Sequence, residues 1–556
     1  MANTLSLGSG NWGAKESLLL GYYENGGKFF PETFDVTRAT GGTRVNKAGL
    51  IETPTEIVSG ELITNGDFAT DSDWGKLNAT ISGGKGNLIG DGVTSLLIQN
   101  ILTNTKTYTA TFTVSNYNSI GESNVINDNG DVLFPVTSNG TFTFTFTQSV
   151  VSPSFLFKAR LGSIYSIDNV SVVEINQKNL ARIDYLDDAK GALLTEPQST
   201  NLYAQSSSFV GNWQASNLNL TLSSVLSPNG IDYATKIEQT ANYGNYYKGK
   251  TVISGSDYTH SIFAKKGNTD WIYLRPIDFD VSADNKVWFD LNNGVVGTDS
   301  ASVGSIKDYG NGWYRCSVKF NTTTDLTGRV LGYNCNSDGD AIGSVGLTSY
   351  IWGAQLEQQS YATSYIPTFN GIVSRNQDEV TNGGSVTNFN SEEGVLYAEI
   401  ASLSEETPIS KYISISDGTY DNRLSIMYSV GATNGIRAFF RIGGVTQADM
   451  SFITSDITAL HKVAFKYKEN DFSLWIDGVE VLTDTSGNTL PPNTLTSLSF
   501  SEINTSAGLF FGKTKNAQVF NTALSDSDLL SLTTTGSVPY WTQYSAMATT
   551  LNYTNK

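Results

Sequence analysis

Strict alternation of apolar and polar side chains is the dominant pattern along this chain. Residues 107–114 read Thr-Tyr-Thr-Ala-Thr-Phe-Thr-Val, and residues 141–147 read Thr-Phe-Thr-Phe-Thr-Phe-Thr. Because successive side chains of a β-strand point to opposite faces, each segment buries one face and exposes the other. Residues 313–320 alternate in the same way and place Cys316 and Val318 on the apolar face. The pattern predicts antiparallel sheets with one buried face.

Turn and helix signals complete the picture. Residues 462–467 and 472–476 alternate as strands do, and the Asp-Gly dipeptide at 477–478 predicts a tight turn after them. Ser525, followed by carboxylates and a Leu-Leu pair, predicts a helix that begins at this point. Since nearly all other segments favour strands and short turns, the predicted class is all-β and multidomain.

An internal repeat lies within the first two thirds of the chain, where three markers occur twice in the same order. The markers, first copy before second, are residues 61–68 with Trp74 and residues 200–203 with Trp213, then Tyr108 and Tyr258, then residues 165–174 and residues 350–357. Matched tryptophans are typical of a shared core residue, so we expect Trp74 and Trp213 to be buried, with sugar stacking as the open alternative. In this alignment Gly353 stands in the place of Asp168.

The repeat and the linker-like stretches around it divide the chain into six parts. They are an N-terminal segment, a first copy, a larger second copy, a linker, a last β-module and a tail. The predicted ranges are 1–57, 58–176, 177–370, 371–392, 393–535 and 536–556.

Composition narrows the range of functions. The 556 residues carry 35 Lys and Arg against 53 Asp and Glu, a net charge of −18, so a phosphate-binding basic groove is not expected and nucleic acid is excluded as a partner. Two histidines and two cysteines leave few side chains for zinc, haem or Cys-His catalysis. No stretch reaches the length of a membrane span, and the N-terminus lacks the pattern of a signal peptide. We therefore expect neither a membrane partner nor secretion by a signal peptide.

Two sets of motifs resemble known families. Asn65-Gly66-Asp67-Phe68 with Trp74, and the later Asp168-Asn169-Val170-Ser171, resemble jelly-roll carbohydrate-binding modules. The second copy resembles modules of phage virion proteins through residues 195–202, 309–315, 352–357 and 361–368, and residues 34–52 resemble the N-terminal segment of the same proteins.

The last module is similar to concanavalin A-like, laminin-G-type sandwiches through residues 474–478 and 517–525. Together the resemblances imply two jelly-roll β-sandwiches followed by a concanavalin A-like β-sandwich, with a short N-terminal attachment segment. They imply a phage fibre or appendage protein that is made in the host cytoplasm and displayed on the virion surface. Such proteins commonly form homotrimers and attach to other virion proteins, here through residues 1–57. The implied function is weak, multivalent binding of host-surface or mucus glycans.

Exposed aromatic rings are the expected glycan contacts, because a sugar ring stacks its C–H face on them. The candidates are Trp271, Tyr273 and Trp288, and a loop cluster of Tyr243, Tyr246 and Tyr247. A structural role is an open alternative for the loop cluster.

The resemblance to carbohydrate-binding modules also implies a structural calcium ion. Calcium prefers carboxylate and carbonyl oxygens, and Asp168 matches the acidic position of the family. Glu61 or Asp67 is expected to lie across from it, whereas Gly353 in the second copy argues against a second ion.

Catalysis is not expected. The last module has no run of alternating carboxylates such as a glucanase needs, and Asp477 and Glu480 are expected to be surface groups beside a turn. Cys316 and Cys335 are expected to be buried free thiols, and a disulfide between them is the open alternative. Two alternatives stay open: a purely structural head-fibre or tail decoration protein, and a polysaccharide depolymerase with a site between subunits.

Overall fold

The computed structural model describes residues 5–118, 121–148, 150–279, 286–300, 303–323, 327–369, 371–405, 410–429 and 434–534. The predicted tail at 536–556 lies outside these residues. Residues Thr55–Gln177 form one compact unit, and the described residues before and after it in the chain form the other. Strands make up most of both units, so the predicted all-β, multidomain class is confirmed.

The unit Thr55–Gln177, here called the first sandwich, consists in its described residues of two antiparallel sheets around a core of residues such as Phe112 and Phe157. One sheet has the strand order Gly140–Thr147, Thr107–Ser115, Ile164–Asn176, Gly86–Ile89 and Ala79–Ile81, and Glu56–Ile57 pairs with Ile164–Asn176. The other has the order Val132–Pro135, Glu122–Ile126, Ser154–Arg160, Ser95–Asn100 and Gly75–Leu77. The alternating segments therefore form neighbouring strands, as predicted.

The second sandwich, residues 199–369, also packs two antiparallel sheets against each other. The aromatic sheet has the order Gln214–Ser216, Asn245–Tyr247, Thr327–Cys335, Trp271–Ile277, Val287–Asp290 and Val295–Asp299, and Gly249–Thr251 pairs with Thr327–Cys335. The motif sheet has the order Leu218–Leu226, Tyr233–Gln239, Thr348–Glu357, Asp257–Lys266, Trp313–Asn321 and Gly304–Asp308. Cys316 and Val318 lie in the core between the sheets, as their alternation predicts.

The terminal sandwich combines the last module with strands from the beginning of the chain. One sheet has the order Glu379–Thr381, Lys28–Thr37, Leu18–Asn25, Leu5–Gly8, Gly512–Phe520, Glu393–Ser402, His461–Lys468, Phe472–Ile476 and Val479–Asp484. Three further strands belong to this sheet. Gly13–Lys15 pairs with Leu18–Asn25, Ala192–Thr195 pairs with Gly512–Phe520, and Ile183–Asp184 pairs with Ala192–Thr195. The facing sheet has the order Val445–Ile453, Gly435–Ile442, Arg423–Tyr428, Lys411–Ser416 and Ser497–Ser499. Two further antiparallel pairs of short strands lie outside these sheets: Arg44–Val45 pairs with Ile51–Glu52, and Ser199–Asn201 pairs with Val373–Arg375.

The N-terminal strands change the predicted division of the chain. Leu5 and Leu7 are completely buried in the core of the terminal sandwich, and Leu5–Gly8 pairs with Gly512–Phe520. The sandwich predicted over 393–535 thus extends to residues at the start of the chain, because their apolar faces are buried in its core.

The local turn and helix predictions are confirmed. Asp477 and Gly478 both adopt positive φ angles, 49° and 84°, in the turn between two paired strands. The helix Asp526–Thr533 begins after Ser525, whose side chain accepts a hydrogen bond from the Asp528 amide. The part of the chain that the structure describes contains no helix with the length and apolarity that a membrane crossing requires.

The two copies share buried tryptophans at matched positions. Trp74 and Trp213 are 5% and 6% exposed and lie in the cores of their sandwiches. Each indole N–H donates to a backbone carbonyl, that of Asn65 at 3.1 Å and that of Gln205 at 3.3 Å. The prediction that both are core residues is confirmed.

A tyrosine corresponds in the same way. The Tyr108 hydroxyl accepts a hydrogen bond from the amide of Thr103 at 2.7 Å, and the Tyr258 hydroxyl accepts one from the amide of Ile253 at 2.9 Å. The sequence separation is the same in both copies, so the repeat extends to individual hydrogen bonds.

The third marker contains a bulge, which corrects one correspondence drawn from the sequence. In both copies the strand register shifts at this point, and Asn169 and Gly353 have positive φ angles of 52° and 63°. Glycine adopts this region freely, and asparagine tolerates it better than other residues. Gly353 therefore corresponds to Asn169, and Trp352 corresponds to Asp168.

Candidate functional site

Aromatic side chains form a row across the outer face of the aromatic sheet. The strand register places Tyr273 directly opposite Tyr333 on one side and opposite Trp288 on the other. The Tyr273 ring stacks on Tyr333 with 4.2 Å between centroids and on Trp288 with 4.9 Å. Side chains that alternate with these, such as Ile272, point into the core. The row thus results from strand alternation in register.

A loop covers part of this row. The Trp288 indole N–H donates to the carbonyl of Asp340 at 2.8 Å, and the Tyr273 hydroxyl donates to the carbonyl of Ala341 at 3.1 Å. The Asp340 carboxylate accepts a hydrogen bond from the amide of Asn336, which holds the loop together. Tyr273 is 2% exposed and Trp288 is 4% exposed. The prediction that these two rings stack on a sugar is corrected, because the loop covers both of them. Tyr273 and Trp288 therefore have a structural role in this sheet.

The predicted loop cluster of tyrosines divides between the core and the surface. Tyr246 is buried in the core of the second sandwich, where its ring packs against Phe209 and Trp213, so it cannot contact a ligand as predicted. Tyr243 is more than half exposed and sits in a left-handed turn. Tyr247, the next outward-pointing residue of the strand, is half-buried on the outer face.

The accessible part of the face combines aromatic and cationic groups. The guanidinium of Arg329 lies 4.9 Å from the centre of the Tyr247 ring and forms an ion pair with Asp278 at 3.1 Å. Arg275 and Trp271 lie half-buried on the neighbouring strand. Arg275 alternates with Tyr273, so it points to the same face. This face offers an apolar surface for stacking beside donors for hydroxyl groups.

The residues predicted to bind calcium do not form a cluster. Glu61 accepts hydrogen bonds from the amides of Ile63 and Val172 at 2.9 and 2.8 Å, which fixes its carboxylate against the backbone. Asp168 accepts from the adjacent amide of Asn169 at 2.7 Å.

Asp67 accepts at 3.3 Å from the amide two residues later, as in a turn. Among the described residues, no group of three or more Asp, Glu, His or Cys side chains could hold a metal ion. Glu61, Asp67 and Asp168 therefore do not form such a group, and the calcium ion stays a prediction.

The motifs at 195–202, 352–357 and 361–368 in the second sandwich are joined to one another by buried polar side chains. Glu357 accepts a hydrogen bond from the Ser199 hydroxyl at 2.6 Å and another from the Thr363 amide at 3.1 Å. The side-chain amide of Asn201 donates to the carbonyls of Ala354 and Ile366. Because each motif satisfies polar groups of another, the motifs act as structural connectors, a role that their sequences did not indicate.

A buried ionic cluster lies next to these motifs. It contains three arginines, Arg38, Arg182 and Arg375, and two acids, Glu196 and Asp378, all with side chains at most 4% exposed. Arg38 lies 2.6 Å from Asp378, and Arg182 lies 2.6 Å from Glu196. Burial alone would raise the pKa of Asp378, but the surrounding guanidinium charges hold that pKa below its usual range. The cluster connects three segments that are far apart in the chain.

The terminal sandwich contains a buried histidine, His461. Nδ1 of His461 lies 2.6 Å from the carboxylate of Asp477, and Nε2 lies 2.8 Å from the carbonyl of Asp456. Both acceptors favour the protonated ring, and the hydrogen bond with Asp477 raises the pKa of His461 although burial opposes it. Asp477 lies in its turn with 32% of its side chain exposed, and it also accepts a hydrogen bond from the amide of Lys462, so this turn residue is a structural partner of His461.

Both cysteines are buried free thiols, as predicted. Cys316 lies in the core of the second sandwich, whereas Cys335 lies under the aromatic row on the outer face. Burial raises the pKa of both thiols, so neither is activated as a nucleophile.

No family model and no curated protein matches this chain. Solved structures with partial likeness include the CBM40 of the Ruminococcus gnavus IT-sialidase bound to alpha2,3 sialyllactose, at 18% identity over 28% of this chain and 93% of that chain, with a TM-score of 0.24. The CBM22 tandem of Paenibacillus barcinonensis Xyn10C is 12% identical over 55% of this chain and 100% of that chain, with a TM-score of 0.20.

The Trypanosoma rangeli sialidase is 9% identical over 95% of this chain and 93% of that chain, with a TM-score of 0.20. At these low identities and TM-scores, the likenesses carry no argument about function. The chain is a multidomain all-β protein with β-sandwich modules.

Proposed function

We propose that this chain is a non-catalytic virion appendage protein that binds glycans on the outer face of its aromatic sheet. The observation that carries the glycan part is the pairing of the half-buried Tyr247 ring with Arg329 on that face. Arg275 and Trp271 extend the face along the next strand. The stacked rings of Tyr273, Trp288 and Tyr333 belong to the same sheet and make its outer face rigid.

The geometry suits a weak site for a neutral or lightly charged sugar. A pyranose C–H face can stack on the exposed part of Tyr247 or Trp271, and the nearby guanidinium groups can donate to its hydroxyls. A sugar bound on this open face would remove water from only one or two aromatic rings, so a single site has a low affinity. Several copies on one particle would raise the overall avidity by orders of magnitude.

The virion part of the proposal is supported by the phage-like motifs at 195–202, 309–315 and 352–357. Attachment to other virion proteins is proposed for the N-terminal segment, whose hairpin presents the exposed ring of Phe30 stacked on Tyr23. A homotrimer, synthesis in the host cytoplasm and display on the particle surface belong to the same proposal.

A glycan-array and whole-cell binding assay tests the glycan part. The purified protein is compared with the double variant Tyr247→Ala, Arg329→Ala, which should lose at least tenfold in apparent affinity. Arg437→Ala is the matched control, since Arg437 is another partly exposed arginine near an aromatic ring, 5.8 Å from Phe439 in the terminal sandwich. Binding by the control should equal that of the native protein.

Three results would count against this proposal. Absence of binding to any glycan or host cell would favour the purely structural alternative. Equal loss in the control variant would show that the effect is not local to the aromatic sheet. Oligosaccharides released in the same wells would show that the chain is an enzyme.

A further inference from the structure

A cavity of about 670 Å³ lies beside the outer face of the motif sheet. Arg315, Ser317 and Lys319 line one wall, on the polar side of the strand Trp313–Asn321. The segment that contains Asp184 and Asp187 also lines the cavity, as do residues of the terminal sandwich such as Ser402 and Lys513. The volume is typical of a small-molecule site.

The cavity wall carries a positive balance of charge in a protein whose net charge is −18. Within the described residues, its cationic groups are Arg44, Lys307, Arg315, Lys319, Lys513 and Lys515. Its anionic groups are Asp184, Asp187, Asp188 and Glu196. Carboxylates just outside the lining balance this local excess of two positive charges: Glu52 lies 3.0 Å from Arg44, and Asp257 lies 3.3 Å from Lys319.

Most of these charges already have partners. Lys513 lies 2.9 Å from Asp184, and Lys515 lies 2.6 Å from Asp188. Glu196 belongs to the buried arginine cluster. Because these lysines are already neutralised by carboxylates of the protein, they do not require a negatively charged ligand.

Arg315 differs from the other cations. The residue is 5% exposed, and its guanidinium donates to the Ser261 hydroxyl at 2.9 Å and to the carbonyl of Thr363 at 2.5 Å. The Tyr309 hydroxyl also interacts with it. All these partners are neutral, and within the described part of the chain no carboxylate forms an ion pair with Arg315. A buried guanidinium without a counter-ion is costly, and an anion in the cavity would remove that cost.

We propose that this cavity is a second ligand site, which binds a carboxylated sugar residue through Arg315. Hydroxyl side chains also line the cavity, which suits a polyhydroxylated ligand; they include Thr43, Thr259, Ser305, Ser317, Ser402 and Thr458. The Tyr309 ring lines the same space and offers a surface for stacking. The inference does not rest on the aromatic sheet, because no residue of that face lines the cavity.

Isothermal titration of the full chain with D-glucuronate, D-glucose and inorganic phosphate tests the assignment. Glucuronate should bind saturably, with glucose at least tenfold weaker because it lacks the carboxylate. Ala362→Trp places a large side chain at a residue that lines the cavity and should abolish binding without removing a charge. Arg315→Gln should weaken binding by about 10-fold or more, which is the usual loss for a charge-assisted hydrogen bond.

The controls separate this site from the proposed glycan face. The variant Tyr247→Ala, Arg329→Ala should bind glucuronate as the native protein does, whatever it does on the glycan array. Thermal unfolding checks that Arg315→Gln and Ala362→Trp remain folded, and Arg315→Lys should restore part of the affinity. Equal binding of glucose, or no binding of glucuronate by the native chain, would overturn the proposal. Phosphate binding as tight as that of glucuronate would overturn the sugar assignment.

Discussion

The two copies of the repeated sandwich have the same internal frame but different surroundings. Trp74 and Trp213 make the same contact with backbone, and Tyr108 and Tyr258 accept the same amide hydrogen bond. The first sandwich is nevertheless a compact unit of its own, whereas the second belongs to the unit that contains the terminal sandwich. The same core contacts therefore occur both in a module that is a compact unit by itself and in a module that is part of a larger unit.

The exposed faces of the copies differ even more. In the first sandwich, neighbouring strands pair threonines across the outer face, for example Thr111 with Thr143 at 2.9 Å. In the second, the outer face of the aromatic sheet carries the row that contains Tyr273 and the half-buried pair of Tyr247 and Arg329. Function in such modules thus depends on outward-pointing residues, which the core does not constrain.

The largest expected difference between the copies comes from the buried ionic cluster. Asp378→Ala leaves three buried arginines with one acid, so the larger unit should lose about 5 kcal/mol of unfolding free energy. The first sandwich should keep its stability, because it contains no part of the cluster. Differential scanning calorimetry checks both transitions. The control Asp449→Ala, which breaks an exposed pair with Arg437, should cost at most about 1 kcal/mol. A shift of both transitions by Asp378→Ala would contradict the separation of the units.

Substitution of the matched tryptophans tests whether the two frames are equivalent. Trp74→Leu and Trp213→Leu each leave a cavity and an unpaired carbonyl, so each should cost about 3 kcal/mol. We expect Trp74→Leu to lower only the transition of the first sandwich and Trp213→Leu only that of the larger unit. Chemical denaturation of each variant measures the loss. Costs that differ by more than a factor of two would break the equivalence.

The pH dependence of stability should differ between the units, because both histidines of the chain lie in the larger one. Burial lowers the pKa of His260 to about 3, so the unfolded state binds more protons below pH 6.5. His260 should therefore cost the larger unit about 2 kcal/mol between pH 7 and pH 5. The raised pKa of His461 acts in the opposite sense: its contribution is complete below about pH 6.5 and is lost as pH rises through the folded pKa.

Urea midpoints at pH 5, 7 and 9 measure these effects. His260→Phe should remove the loss on the acid side, and His461→Gln should remove the loss on the alkaline side. The first sandwich contains no histidine and serves as the internal control. An unchanged acid limb in His260→Phe would show that other groups cause it.

The smallest expected effect concerns the matched tyrosines. Tyr108→Phe and Tyr258→Phe each remove one hydroxyl and leave one amide, that of Thr103 or Ile253, without its acceptor. Each should cost about 1 to 2 kcal/mol, the usual cost of an unsatisfied polar group. Equal losses of unfolding free energy in the two variants would support the equivalence of the two hydrogen bonds. No loss in either variant would contradict it.

Local patterns in the sequence predicted the elements well, because they depend on near neighbours. Alternation identified strands such as Trp313–Asn321, and Ser525 marked the start of the helix. The same patterns could not show that Tyr273 and Trp288 are covered, because the loop that covers them is distant in sequence. Nor could they show that the Glu61 carboxylate accepts a hydrogen bond from the backbone amide of Val172.

The sequence by itself determined the all-β class, the internal repeat and the core tryptophans, since alternation and matched spacing follow directly from strand geometry. Only the tertiary structure decided where polar residues lie relative to one another. Arg182 and Asp378 meet although 196 positions separate them, and no local pattern records such a pairing. The same holds for Leu5, which completes a core made largely of residues from the other end of the chain. Burial of such charges and apolar side chains depends on contacts between residues that are distant in the sequence, and these contacts form only in the tertiary structure.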